Sequence, residues 1–422
     1  MTCPVCFFRE DHQKLLKAST FGIDRFENKL KKYKEKFIEG ICQMDSLSNC
    51  SCLSAYSHNE MISWTDSFLH ALKGAEGEVR NAFDSIISIY EDFINKSKKI
   101  ATDRLWSYLK NQGLLDQTEN AITYAKLLFR ARAKGGFDEG NIKEYFHIPF
   151  SKRLLVGNQR FSVSGQPMLY FGSSVLAIAK ELEREVGELA VAAFLPSYSE
   201  YYNSKIFGLT NHIGECIENS LPGIFAAGSR ISYDDRHLSP NRQTISSDIH
   251  KAVLMHICTF PAEFKGSFVP EYAIPQMLTT ALLENTYTGL VFPSTKDYSD
   301  LNGQHRFSSH HMNLGIFVPY DKINDTNEAL LKTFTVFTLD GSESFNLTTK
   351  DVIEKAGKII KVNKKSTYNN NDYIIPICKL QLHIEYMNES QISVIKYFET
   401  CIGKLELEIY MKMLCHLEKI VH

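Results

Sequence analysis

The spacing of apolar positions divides this chain into two regimes. Up to about residue 125, apolar residues recur every three or four positions, which predicts amphipathic helices. The runs are Lys14–Lys17, Asn28–Phe37, Met61–Leu72, Glu78–Ser97 and Thr102–Asn111. Val79, Ala82, Phe83, Ile86, Ile87, Tyr90, Phe93 and Ile94 form the clearest stripe, and Gly113 is placed to end the last helix. Past residue 125, short apolar runs punctuated by Gly, Pro and Ser predict strands at Met168–Phe171, Leu189–Leu195, Gly289–Phe292 and Leu314–Val318. Helices are predicted at Val175–Gly187 with Ser174 as N-cap, at Ser197–Leu221, and at Pro275–Glu284. Beyond residue 325, Leu330–Leu339 and Tyr373–Tyr386 read as strands. Lys364–Asp372 reads as a polar loop and Gln391–Val421 as one or two terminal helices.

The fold class is therefore α+β. A helical region at 1–124 precedes a mixed α/β domain at 125–325 and an α/β extension at 326–422. A chain of 422 residues is longer than one hydrophobic core usually serves. Its 44% hydrophobic and 23% charged residues are ordinary for a globular protein. A net charge of -2 gives no argument for nucleic acid or for a basic partner. No apolar run reaches membrane length, and Met1–Cys6 lacks the basic and apolar regions of a secretory signal. The ten cysteines are scattered, several in apolar company, as thiols in a reducing cytoplasm are.

The candidate chemistry lies between Phe129 and Ser294. Breaking the bond between nicotinamide and ribose in NAD builds positive charge on the ribose, which a nearby carboxylate stabilises. Arginine forks hold a pyrophosphate, and an aromatic ring packs on nicotinamide or ribose. Arg130 and Arg132 share a face if their stretch is extended. Tyr170 sits near a strand end, Glu181 about two turns into the next helix with Glu185 one turn on, and Ser294 just after an apolar strand. Taken singly, each residue reads as a surface or turn residue. Their order changes that reading.

Phe129-Arg130-Ala131-Arg132, the run from Arg160-Phe161-Ser162 through Gly165, Pro167 and Leu169-Tyr170-Phe171-Gly172, then Glu181, Pro270–Gln276 and Gly289–Ser294 together resemble the RES domain. The resemblance covers roughly residues 125 to 320. It implies an ADP-ribosyltransferase-like fold that degrades NAD as a phosphorylase or glycohydrolase, in a bacterial toxin or growth-arrest effector of the anti-phage kind. It implies catalytic roles for Arg160, Tyr170, Glu181 and Ser294, and substrate binding by Arg130; Arg132 and Phe161, neighbours of the two arginines, are further substrate-binding candidates without a role carried over from the family. Gln159 stands where many members have glycine and Ser162 where many have asparagine. NAD is then a substrate and no cofactor is expected. Expected partners are NAD, inorganic phosphate, an antitoxin protein and further copies of the chain, with no membrane or nucleic acid. Two alternatives stay open: ADP-ribosyl transfer to a macromolecule, and a non-catalytic NAD-binding module.

The first 124 residues resemble the HEPN-like helical domain. They lack its Arg-x4-His nuclease signature, since Arg80 has no histidine at that distance and Arg9 is too close to His12. A structural or regulatory role follows. Cys3 and Cys6 make a zinc half-site on paper, with Cys42, Cys50 and Cys52 as further candidates, yet reduced thiols are the favoured reading and no metal is assigned. His305, His310 and His311 are irregularly spaced in a polar segment, better read as surface or pocket lid. Gly135-Gly136 is not followed by the Lys-Ser/Thr of a phosphate loop.

Overall fold

A computed structural model describes residues 2–23, 25–51, 59–115, 127–197, 204–209, 242–264, 266–296, 301–302, 312–339, 347–363, 371–388 and 390–421. The protein is mixed α+β with a helical N-terminal region. Helices α1 (Pro4–Phe7), α2 (Glu10–Ala18), α3 (Phe26–Gln43), α4 (Asn59–Gly74), α5 (Glu76–Asn95) and α6 (Lys98–Asn111) come first. The predicted stripe is the buried face of α5 from Val79 to Tyr90, whereas Ile94 is exposed. Ser97 caps α6 by accepting from Ile100 N at 3.2 Å.

Next come strands β1 (Leu128–Ala133), β2 (Met168–Gly172), β3 (Leu189–Pro196), β4 (Ile206–Gly208), β5 (Gly289–Pro293), β6 (Leu301–Asn302), β7 (Met312–Phe317) and β8 (Phe334–Thr338). Helices α7 (Val175–Leu182), α8 (Arg242–Cys258), α9 (Ala273–Glu284) and α10 (Glu328–Thr333) lie among them. Helices α11 (Thr349–Asn363) and α12 (Asn371–Asn388), the short strands β9 (Gln391–Ile392) and β10 (Ile395–Lys396), and helix α13 (Cys401–Val421) end the chain. Seven strands form one sheet in the order β4-β5-β7-β2-β1-β3-β8, with only β4 and β5 parallel. β6, β9 and β10 form a second, small sheet.

The pairing register decides which residues share a face. Phe129 lies opposite Gly172 and Ala193, Tyr170 opposite Gly315, and Gly315 opposite Leu290. Tyr170, Phe129, Ala131, Phe292 and Asn313 therefore stand on one face. Two helical groups cover that face. At the β4–β5 end, Leu290, Phe292 and Phe317 share a core with the N-terminal helices, α8 and α9. At the β3–β8 end, Val191, Ala193 and Phe337 share a core with α7, α11, α12 and α13. The opposite face packs Leu169, Phe171 and Phe194 against Tyr145, Phe146 and Phe334.

Several elements differ from the periodicity reading. Tyr373–Tyr386 lies within helix α12, although Lys379, Gln381, His383 and Glu385 alternate with Leu380, Leu382, Ile384 and Tyr386 as in a strand. Pro376 is the sixth residue of α12 and removes one N–H from its ladder, a residue type that local reading counts against a helix. Leu330–Leu339 divides into α10 and β8. Ile206–Gly208 within the expected helix Ser197–Leu221 is a strand, its backbone paired to β5, and residues 210–221 lie outside the described residues. Helix α7 stops at Leu182, where Glu183 turns left-handed at φ 53°, so Glu185 lies outside the helix and exposed. The segment from Gln391 opens with the β9–β10 pair and ends in a single helix. In the expected loop Lys364–Asp372, residues 364–370 lie outside the described residues, and Asn371 and Asp372 begin α12. Of the histidine-rich segment, Asn302 ends β6, while His305, His310 and His311 lie outside the described residues. No helix among the described residues is long and apolar enough to cross a membrane.

Candidate active site

A cavity of about 450 Å³ opens on the helix-covered face, between the two helical groups. Its lining includes Arg130, Arg160, Phe161, Tyr170 and Glu181, five of the seven residues singled out in the sequence. Ser294 joins them through Glu181.

Glu181 is set by helix α7. Ser174 caps that helix, its side chain accepting from Ala177 N at 3.0 Å. Gly172 lets α7 lie close to β2, since a Cβ there would meet Ile178 Cγ1 at 2.9 Å. The half-buried Glu181 then faces the ends of β5 and β7. Its Oε1 accepts from Ser294 Oγ at 2.5 Å and from Asn313 Nδ2 at 2.7 Å. Both donors are buried. No hydrogen bond among the described residues engages Oε2. The carboxylate is thus oriented through one oxygen. Ser294 in turn accepts from Lys296 N at 3.2 Å. The Lys296 side chain lines the cavity and pairs with Glu183 at 2.6 Å.

Arg130 enters differently. By alternation along β1 its Cβ lies on the face opposite Tyr170. Yet β1 and β2 pair only at Phe129 and Gly172 and then diverge. The Arg130 guanidinium fills the gap, donating to Tyr170 O at 2.8 Å and to Phe146 O at 3.3 Å. Its Nε is buried without a hydrogen-bond partner among the described residues. Burial, and then the charge of Arg132, lower its pKa to about 10, so it stays cationic at neutral pH.

Arg160 sits on the far wall. It donates to Cys258 O at 3.1 Å and Phe260 O at 2.7 Å, serving the carbonyl end of α8, and lies 4.9 Å over the Tyr272 ring. Burial lowers its pKa as well. The turn that carries it is held from α9. Gln276 Nε2 donates to Asn158 Oδ1 at 2.6 Å and to Gln159 O at 2.9 Å, and Thr279 Oγ1 donates to Phe161 O at 2.8 Å. Gln159 and Ser162, the two departures from the RES pattern, hydrogen-bond each other within that turn at 3.1 Å.

Aromatic rings close the cavity. Phe161 packs on Phe292 with centroids 4.1 Å apart, and Tyr170 meets Phe292 edge-on at 6.5 Å. The Tyr170 hydroxyl is buried and makes no hydrogen bond of normal geometry among the described residues, although Ser162 is near enough to favour its ionised form. Burial dominates and raises its pKa, so the hydroxyl keeps its proton.

Arg132 does not join the site. Although it shares a strand face with Arg130, it pairs with Glu144 Oε2 at 2.6 Å and lies 4.5 Å over the Phe137 ring. Asn313, Gln276, Tyr272 and Lys296 are site residues that the sequence reading missed. The only signals for them were a polar residue opening the apolar run of β7 and the motif Pro270–Gln276, which carried no assigned roles.

No protein-family model matches the chain. No solved structure matches it. The chain is similar to a Bacillus subtilis (strain 168) protein described as "Putative toxin YopC", with 27% identity over 157 residues. The match spans 36% of this chain and 33% of that protein, about a third of its length.

Proposed function

We propose that the cavity binds NAD and breaks its nicotinamide–ribose bond. One observation carries this reading. Two cationic guanidiniums, Arg130 and Arg160, border the same cavity as an oriented carboxylate, and their side-chain hydrogen bonds go to backbone carbonyls. Neither forms a salt bridge among the described residues. Both guanidiniums are half-buried at the cavity wall, and an anionic ligand entering the cavity would pair them. A pyrophosphate flanked by ribose and base suits two arginines, aromatic walls and a lone carboxylate.

In this reading Glu181 stabilises the ribosyl cation as the C–N bond breaks. The bonding pair leaves with the nicotinamide ring nitrogen, which becomes neutral. Water or phosphate then adds an oxygen to the same carbon, and water loses its proton to solvent. Ser294 and Asn313 hold Glu181, while Tyr170 and Phe161 pack against the nicotinamide riboside. We further propose a toxin role, supported by the similarity to the Bacillus subtilis protein described as a putative toxin, and restraint by a partner protein, which rests on the RES resemblance alone.

Incubating the purified chain with NAD, with and without inorganic phosphate, tests the activity. Nicotinamide release is expected, and a phosphorylated ADP-ribose appearing only with phosphate would identify phosphorolysis. Intact NAD under both conditions would overturn the proposal. Label from NAD recovered on a macromolecule would instead identify ADP-ribosyl transfer.

A further inference from the structure

Outside the cavity lining, three thiols from two ends of a 48-residue segment converge. The Sγ atoms of Cys3, Cys6 and Cys50 all lie within 4.8 Å of one another. Cys3 is the N-cap residue of α1 and Cys6 lies one turn on, so a Cys-x2-Cys spacing turns both sulfurs to one side. The Cys3 side chain makes no capping hydrogen bond. Cys50 follows the short helix Leu47–Asn49. The backbone bond from Asp45 N to Thr2 O, 3.1 Å, pins the two segments side by side. Cys3 and Cys50 are buried, and Val5, Phe7, Met44 and Leu47 surround them in the same core.

The separation is informative. Cys6 Sγ and Cys50 Sγ are 3.7 Å apart. A disulfide requires about 2.05 Å. Two thiolates on a tetrahedral zinc with bonds of about 2.3 Å stand about 3.8 Å apart. Three sulfur donors in a buried apolar shell also match the soft-ligand preference of zinc. Cys42, by contrast, is exposed and outside the cluster, and Cys52 lies outside the described residues.

We infer that Cys3, Cys6 and Cys50 are ligands of a structural zinc ion that fastens the start of the chain to the end of the α2–α3 segment. A further donor completes the tetrahedron. Because zinc binds the folded arrangement and holds distant segments together, its binding free energy adds to the stability of the helical region.

Elemental analysis of the full chain, purified without strong chelators, tests this. About one zinc per chain is expected. Cys6→Ser and Cys50→Ser are each expected to lower that content at least about fivefold, as loss of one of three thiolates from a closed site implies. Cys42→Ser should keep the full content. Since a ligand variant that misfolds would also lose metal, the unmutated chain gives a second readout. Stripped of metal and refilled with cobalt(II), it should show thiolate-to-cobalt charge-transfer absorption of a tetrahedral site, and its Tm should fall on stripping and recover on refilling. Zinc below about a tenth of an equivalent together with no cobalt–thiolate band would overturn the inference. So would iron in place of zinc, unchanged zinc in Cys6→Ser, or a Cys6–Cys50 disulfide in the native protein.

Discussion

Ser294 Oγ donates a 2.5 Å hydrogen bond to Glu181 Oε1, joining the end of β5 to the last turn of α7. Asn313 donates to the same oxygen from β7. If Glu181 faces a developing cation, removing its charge should cost far more than loosening its orientation. Glu181→Gln should lower kcat for NAD cleavage by about 10²–10³, on the scale of losing one preorganised electrostatic group. Ser294→Ala and Asn313→Ala should each cost about tenfold, since one hydrogen bond to a charged group is worth about 1.5–3 kcal/mol and the other remains. Steady-state nicotinamide release reads all three. Equal losses in the three variants would mean that orientation, and not charge, is what Glu181 supplies.

Arg130 and Arg132 make a second comparison within one strand. Arg130→Ala leaves the Tyr170 and Phe146 carbonyls without their donor and opens the β1–β2 gap, so a stability loss of about 1–3 kcal/mol is expected. Arg132→Ala removes a half-exposed ion pair with Glu144 and should change stability by less than about 1 kcal/mol. Urea unfolding gives both numbers. Pyrophosphate should raise the Tm of the parent chain and of Arg132→Ala, but not that of Arg160→Ala. A Tm rise of equal size in Arg160→Ala would separate that arginine from the anion site.

The arginine pair also shows how far the sequence could be read. The alternation of an extended strand places Arg130 and Arg132 on one face, and the structure agrees. What alternation does not contain is the divergence of β1 from β2, which admits one guanidinium to the cavity and leaves the other on the surface. Glu181 and Ser294 were legible because each sits at the boundary of a strongly patterned element. Asn313 was hidden because its partner is 132 residues away in the chain, a relation created only by sheet pairing. Tyr373–Tyr386 misled because its second half alternates polar and apolar residues at the strand period, while the helix it forms packs against α11 and α13, contacts that local periodicity does not contain.

Acid should destabilise this protein from the neutral side. His147 is buried, its Nε2 accepting from Asn327 N at 3.0 Å and its Nδ1 lying 2.8 Å from Ile148 O. That arrangement needs the neutral ring protonated on Nδ1 alone. Burial lowers the pKa of His147, and burial with the charge of Lys17 lowers that of His256 well below 6.5. As pH falls below 6.5, the unfolded chain takes up protons that the folded chain refuses, so stability is lost in that direction and is full above it. Each such histidine contributes at most about 1.4 kcal/mol per pH unit within its window. The Tm should fall from pH 7.5 to 5.5, and less steeply in His147→Gln. An identical slope in that variant would remove His147 from the account.

Glu406 is the buried counterpart of Glu181 at the other end of α7. Its Oε1 accepts from Val175 N at 2.6 Å and from Tyr397 OH at 2.8 Å. Its Oε2 accepts from Tyr410 OH at 3.3 Å and lies 3.2 Å from His383 Nε2. A carboxylate on the first N–H of an eight-residue helix satisfies an orphan donor and favours the helix dipole. The C-terminal helix α13 therefore fixes the helix that carries the proposed catalytic carboxylate. Glu406→Ala would strand Val175 N and two tyrosine hydroxyls in the core, at a cost of about 2–5 kcal/mol. Glu406→Gln keeps the shape and one oxygen acceptor, and should cost less than half as much. If the link between α13 and α7 matters for catalysis, the folded Glu406→Gln protein should show a lower kcat for NAD cleavage with KM nearly unchanged. Reduced stability with an unaltered kcat would confine Glu406 to holding the fold.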